Sequence, residues 1–345
     1  MPVIDADAHV IETDRTWQFA ESSLREYAPV AANGDGVPTP MGDYWLIDGA
    51  VRSRLGNIGK LFPKESREML DVSARLRHMD ELGTDIQVLF PSILTPYTER
   101  PEVEEAFCQT YNRWLADVWR QSPQRLRWAA ILPLMNMQHA LTELRFARDH
   151  GACAVFVRSI EGDRQLIDPY FFPLYEEASK LDVPICVHAS VGSSALDRIL
   201  SQGRDTGNFL RFKLTVVGAC HQVITNRIPD QFPKLRFGFI ETSSQWVPFV
   251  VNDLLRRFQR QGWEIASGSE LLKRDRIYVT CQNDDDLPFV LKYAGEDNLI
   301  IGSDYGHADN ATEMEALRHL QERTDVEPTV IKKILDDNPR ALYGL

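Results

Sequence analysis

Short apolar, β-branched runs recur along the chain, each followed by a longer stretch whose apolar residues return at helical spacing. That alternation is what βα units around a parallel sheet require. Eight runs qualify, at residues 3–8, 85–90, 127–132, 152–157, 184–188, 235–240, 276–281 and 299–302. Eight strands predict a closed (β/α)8 barrel. The rival, an open doubly wound sheet, lacks its usual Gly-rich phosphate loop after the first strand. Among the helices predicted between them, 101–119 opens with Pro101 and acidic residues, as helix starts prefer, and others fall at 169–180 and 328–342.

The 345 residues suit a single barrel domain spanning 1–345 with loop insertions. The stretch 13–70 breaks the pattern, with Pro29, Gly34, Gly36, Pro38, Pro40 and Gly42 set among Trp17, Tyr27, Tyr44 and Trp45. It follows the first strand, so it starts on the face where barrel active sites are built. It is expected to be a lid or insertion loop over the site, with an oligomer contact or packed surface flap as the rival reading.

Hydrophobic residues at 43% and charged residues at 26% describe an ordinary globular chain. A net charge of −12 disfavours nucleic acid and anionic membrane as partners. Arg256-Arg257 and Lys332-Lys333 read as solvated helix faces. Five cysteines without a C-x-x-C pair read as free thiols in a reducing compartment. With no signal-like start and no apolar run near the ~18 residues of a membrane span, a cytoplasmic location is expected.

On the first strand Asp5, Asp7 and His9 share one face, because side chains two apart point the same way. A buried strand normally spends that face on aliphatic residues, since an uncompensated buried carboxylate costs several kcal/mol or more. A bound cation would compensate it. Asp7 and His9 lie nearest the catalytic end, and the deeper Asp5 is expected to support them. His188 ends the fifth strand, and Asp304 follows the eighth, which closes the barrel beside the first. The metal set is therefore read as Asp7, His9, His188 and Asp304.

The segments Asp-Ala-Asp-Ala-His at 5–9, Val-Pro-Ile-Cys-Val-His at 183–188 and Gly-Ser-Asp-Tyr-Gly-His-Ala-Asp at 302–309 resemble the amidohydrolase superfamily. Arg-His-Met-Asp-Glu-Leu-Gly at 77–83, Phe-Pro-Lys-Leu-Arg-Phe at 232–237 and Asp-Asn-Pro-Arg-Ala-Leu-Tyr-Gly at 337–344 extend the likeness to the aminocarboxymuconate-semialdehyde decarboxylase-like branch. The resemblance implies a TIM barrel, one divalent cation at the four residues above, a small-molecule substrate and a homodimer. Two positions depart from the branch. Asp7 stands where the family often has the first His of His-x-His, which makes Mn or Mg competitive with Zn. Glu241 stands where strand six often carries a catalytic His.

A carboxylate at 241 can accept a proton or hydrogen-bond a metal water, but it cannot serve as a cationic electrophile. His307, three residues after Asp304, is a candidate for the missing proton-transfer imidazole. Arg158, ending strand four, either meets a substrate carboxylate or forms an ion pair at the barrel rim. Glu12 either reaches the site or sits in solvent. Asp284, Asp285 and Asp286 precede an apolar run and read as helix capping. His78, His139, His150 and His319 read as surface residues on helices. The leading reaction is hydrolysis by metal-activated water with Asp304 as general base. The alternatives are non-oxidative decarboxylation of a carboxylated aromatic or muconate-like substrate, and a silent barrel that only binds.

Overall fold

All seven residues of the first strand, Ile4–Val10, are buried, as a strand must be when helices cover one face and barrel-filling side chains the other. In the computed structural model it is β1, followed by β2 (Ile86–Pro91), β3 (Leu126–Ala130), β4 (Ala152–Arg158), β5 (Ile185–His188), β6 (Phe237–Ile240), β7 (Ile277–Cys281) and β8 (Leu299–Ile301). The structure describes residues 1–32, 44–53, 57–93, 98–202 and 209–345.

The eight strands form one sheet in sequence order, each pairing in parallel with the next. Closure comes just beyond β8, where His9 N donates to Tyr305 O at 2.8 Å and Asp304 N to Asp7 O at 2.9 Å. The result is a nearly closed (β/α)8 barrel. The predicted strands fall within two residues of the observed ends.

Helices α1 (Val72–Leu82), α2 (Pro101–Gln121), α3 (Met137–Asp149), α4 (Phe172–Lys180), α5 (Thr215–Thr225), α6 (Val247–Arg260), α7 (Leu287–Ala294) and α8 (Ala316–Glu322) follow the eight strands in turn. Asp71 caps α1 by accepting from Ser73 N, and Asp286 caps α7 by accepting from Phe289 N. Two predicted helices are less regular than their patterns. The 169–180 segment begins as a 3-10 turn, Pro169–Phe171, before α4. The 328–342 segment divides into Pro328–Lys332, a π-turn Lys333–Asp337 and Asn338–Tyr343. Pro339 has no N–H to give a helix ladder, and the widened turn precedes it. Tyr343 then ties the chain end to β1, its hydroxyl donating to Ala6 O at 2.6 Å.

Within 13–70 the strands Val30–Ala32, Tyr44–Ile47 and Ala50–Ser53 make an antiparallel sheet. Its buried face carries Trp45, whose ring meets Trp17 edge-on at 5.7 Å, and Trp17 in turn packs on Phe107 of α2. Residues 33–43 and 54–56 of this insertion, including the run from Gly34 to Gly42, lie outside the described residues. Further on, the insertion meets the loop after β8. Gly59 N donates to Gly306 O at 2.7 Å, and Asn57 donates to Asp309 at 2.9 Å. A β-carbon on Gly59 would lie 2.1 Å from His307 O, so only glycine permits this approach.

Candidate metal centre

The barrel brings the three strand ends together. Asp7 Oδ1 lies 3.4 Å from His9 Nε2 and 3.4 Å from His188 Nε2, while His9 Nε2 lies 3.3 Å from Asp304 Oδ1. All four residues are buried. Atoms bound to one cation at about 2.0–2.1 Å in a tetrahedral arrangement stand about 3.3 Å from one another, so each of these three spacings matches one edge of a ligand cage. The donor atoms of Asp7, His9 and His188 all lie within 4.8 Å of one another, and Asp304 groups with His9 and His307.

Protonation follows from the partners. His9 Nδ1 lies 3.0 Å from Pro91 O, which can only accept, so the ring proton sits on Nδ1 and Nε2 presents its lone pair inward. Thr312 Oγ1 donates to Asp304 Oδ2 at 2.6 Å, leaving Oδ1 toward the cage. His9 Nε2 is buried without a hydrogen-bond partner among the described residues, while Asp304 Oδ1 faces His9 Nε2 and His307 Nδ1. Unpaired buried polar atoms of this kind are costly, and the mixed nitrogen and carboxylate donor set fits a divalent cation.

Charge is concentrated here. Burial alone would raise the carboxyl of Asp7, but His188 and His9 hold it well below the usual carboxylate range. Burial and the His307 charge lower the pKa of His9. Burial, then Asp304, Asp309 and Asp7, push the carboxyl of Glu241 well above its ordinary range. His307 is raised despite its burial, because Asp304 lies beside it. Its Nδ1 is 2.7 Å from Asp304 Oδ1, its Nε2 2.8 Å from Ser92 Oγ, and its ring stacks on His9 at 3.7 Å.

Backbone geometry aims the two outer carboxylates. Glu241 and Asp304 follow the ends of β6 and β8 with φ of 65° and 51°, in the left-handed region that non-glycine residues avoid at about 1–2 kcal/mol. Hydrogen bonds hold them there: Glu241 N donates to Thr280 Oγ1 at 2.7 Å, and Asp304 N to Asp7 O. Glu241 Oε2 stands 3.1 Å from His188 Nδ1.

Asp7, His9, His188 and Asp304 thus meet, with Glu241 and His307 beside them. Arg158 and Glu12 are engaged elsewhere. Arg158 pairs in register with His188, but its guanidinium meets Glu161, at 2.9 Å from Nε and 2.5 Å from Nη2. Together they line a cleft of about 870 Å³ with Glu104 and Tyr170. Both carboxylate oxygens of Glu12 accept from backbone, Ser92 N at 3.1 Å and Ile93 N at 3.0 Å, so Glu12 fastens the loop after β2. His78, expected at the surface, is half-buried against the Tyr305 hydroxyl at 2.6 Å.

The sequence reading missed Ser92 and Thr312, which orient His307 and Asp304. Neither carries a pattern that would single it out. Asp309 was visible as the end of the 302–309 segment.

A parallel barrel whose strand ends gather two imidazoles and two carboxylates at one buried point is built as a metal-dependent hydrolase or carboxy-lyase. The chain belongs to the amidohydrolase family, whose model matches residues 4–345. It is 22% identical over 259 residues to 2-amino-3-carboxymuconate-6-semialdehyde decarboxylase of Dictyostelium discoideum, covering 72% of this chain and 70% of that one. Among solved structures it resembles an amidohydrolase from Mycobacterium avium subsp. paratuberculosis, with TM-score 0.80, 19% identity and 100% and 98% of the two chains covered. It also resembles 5-carboxyvanillate decarboxylase from Novosphingobium aromaticivorans, complexed with manganese and 4-hydroxy-3-methoxy-5-nitrobenzoic acid. That match has TM-score 0.69 and 16% identity, covering 100% and 96%.

Proposed function

We propose that this chain is a divalent-metal-dependent carboxy-lyase that removes CO2 without oxidation from a small carboxylated aromatic or muconate-like molecule. The observation that supports the metal dependence is the buried run of donor atoms from His188 through Asp7 and His9 to Asp304, each 3.3–3.4 Å from the next, with His9 Nε2 lacking a hydrogen-bond partner among the described residues. Asp7, His9, His188 and Asp304 would hold one ion. Manganese is favoured over zinc because half the donors are carboxylates, and the related 5-carboxyvanillate decarboxylase is complexed with it.

Bound there, the cation supplies Lewis acidity that stabilises negative charge developing on the substrate. The chain supplies the proton. When the carbon–carbon bond breaks, its electron pair stays on the substrate carbon, CO2 departs, and one proton must arrive. Glu241 and His307 both flank Asp304; burial raises the carboxyl of Glu241, and Asp304 raises the imidazole of His307 against its burial, so each is shifted toward its protonated form. The choice of decarboxylation over hydrolysis rests on the named activities of the decarboxylase relatives. Hydrolysis remains the second reading, favoured by Asp304 Oδ1, which lies 3.3 Å from His9 Nε2 and would serve as the base for an attacking water if these residues held a cation.

Residues 13–70 act in this reading as a lid, supported by the contacts of Asn57 and Gly59 with the loop after β8. A cytoplasmic homodimer completes the reading. Five buried free cysteines agree with a reducing compartment, and among the described residues no helix is long and apolar enough to cross a membrane.

The test is CO2 release from carboxylated phenols and muconates by the manganese-loaded chain. Release that His188→Ala abolishes supports the proposal. Turnover of lactones, amides or esters without CO2 release would replace it with hydrolysis, and absence of any stoichiometric metal would restore the silent barrel.

A further inference from the structure

Arg75, on α1, is fully buried, and among the described residues no carboxylate lies within ion-pair distance of it. A buried guanidinium costs several kcal/mol unless its donors are satisfied. Nη2 has no hydrogen-bond partner among the described residues, so the partners of Nε and Nη1 indicate what it does there. Nη1 donates to the backbone carbonyl of His9 at 3.1 Å and to Ser66 O at 3.4 Å. Nε donates to Gln87 Oε1 at 2.6 Å. The guanidinium carbon lies 3.6 Å from the centre of the Tyr305 ring.

These partners straddle the β1–β8 seam. His9 is on the β1 side. Tyr305 is the residue after Asp304, and its backbone oxygen accepts from His9 N. The residue before Asp304 is reached through a relay: Gln87 Nε2 donates to Asp5 Oδ2 at 3.0 Å, and Asp5 accepts from Ser303 N at 2.9 Å and Ser303 Oγ at 2.6 Å. One side chain therefore grips the backbone of His9, the ring beyond Asp304 and, through Gln87 and Asp5, the residue ahead of it.

We propose that Arg75 is a positioning residue of the metal centre: by locking this seam it holds His9 Nε2 and Asp304 Oδ1 at ligand spacing and so sets cation affinity. The inference rests on the metal reading above. Groups that orient ligands in this way typically change metal affinity by about 10–100-fold when removed.

The experiment is a calorimetric titration of the full chain with MnCl2, for wild type, Arg75→Met, Arg75→Lys and Gln87→Leu. Electron paramagnetic resonance of the bound ion and apo-protein melting run alongside. Arg75→Met is expected to weaken manganese binding about 10–100-fold and to broaden the resonance. Arg75→Lys, which keeps the charge without the fork, should recover part of the affinity. Gln87→Leu leaves the guanidinium and cuts its line to Asp5, so it should fall between, and it decides the matter if Arg75→Met does not fold. Folded variants that bind manganese within twofold of wild type, whatever their melting temperatures, would overturn the proposal and make Arg75 purely structural. A wild type that binds no manganese overturns the metal reading itself.

Discussion

A β-carbon placed on Gly302 would stand 2.3 Å from the β-carbon of Asp7 and 2.8 Å from its backbone nitrogen. No side chain fits between those two residues. The absence of one lets β8 run against β1 closely enough for Asp304 N to reach Asp7 O. Barrel closure and the spacing of the proposed ligands Asp7 and Asp304 therefore depend on the same contact. Gly302→Ala is expected to force the seam apart, costing about 1–3 kcal/mol, the usual range for overpacking. Chemical unfolding would measure this, and manganese affinity should fall in the folded fraction. An unchanged unfolding midpoint would mean that the seam can flex.

Glu104 gives a pH dependence with a definite sign. It is buried at the start of α2, where it accepts from Met135 N at 2.7 Å, and burial raises its carboxyl from 4.5 to about 7. A folded-state value above the unfolded one means that folding favours the protonated form. That contribution is fully present below about 4.5 and is lost as pH rises through about 7. Glu104→Gln keeps an acceptor for Met135 N and cannot ionise. Relative to wild type, the variant should gain stability steadily between pH 5 and 8, reaching about 2–3 kcal/mol from the shift in pKa. Denaturant titrations at several pH values check this, and parallel wild-type and variant curves would refute it.

Much of this architecture was legible because barrel strands carry a simple signal. Eight β-branched runs gave strand positions, and parallel order followed from the helices between them. His188 and Asp304 stood out because the one ends and the other closely follows a strand that is otherwise apolar. Tertiary relationships were harder to see. Arg75 lies in an ordinary amphipathic helix, and only the fold puts its guanidinium behind His9. Glu12 looked available for chemistry, yet the amides of Ser92 and Ile93 take both of its oxygens. Arg158 and Glu161 are only three residues apart, but their pairing depends on how the chain turns after β4. The closing bonds of Ser303, Asp304 and Tyr305 lie beyond the last apolar run, where periodicity carries no information.

Asp7 is predicted to set metal preference. A carboxylate favours harder cations than an imidazole does, so Asp7→His should move the bound metal toward zinc. Protein produced in medium containing equal manganese and zinc would be assayed for both by mass spectrometry. The variant's zinc-to-manganese ratio is expected to rise at least severalfold. An unchanged ratio at full occupancy would remove Asp7 from the ligand set.

Glu241 is the residue through which decarboxylation can be tested apart from metal binding. Its oxygen lies 3.1 Å from His188 Nδ1, and its carboxylate gathers with Asp304, His307 and Asp309, so it reaches the centre from outside the proposed ligand set. Glu241→Gln preserves volume and can still donate a hydrogen bond, but it has no carboxyl proton to transfer. If Glu241 protonates the carbon that loses CO2, kcat for CO2 release should fall by about 10²–10⁴-fold, the usual worth of a positioned acid. Manganese content and KM should change little, because neither the ligands nor the substrate's hold on the cation has been removed. A fall in manganese content equal to the fall in rate would instead make Glu241 a ligand. If kcat stays within threefold, the proton comes from elsewhere, and His307→Asn becomes the informative variant: His307 Nδ1, 2.7 Å from Asp304 Oδ1, is a second proton carrier at that wall of the site.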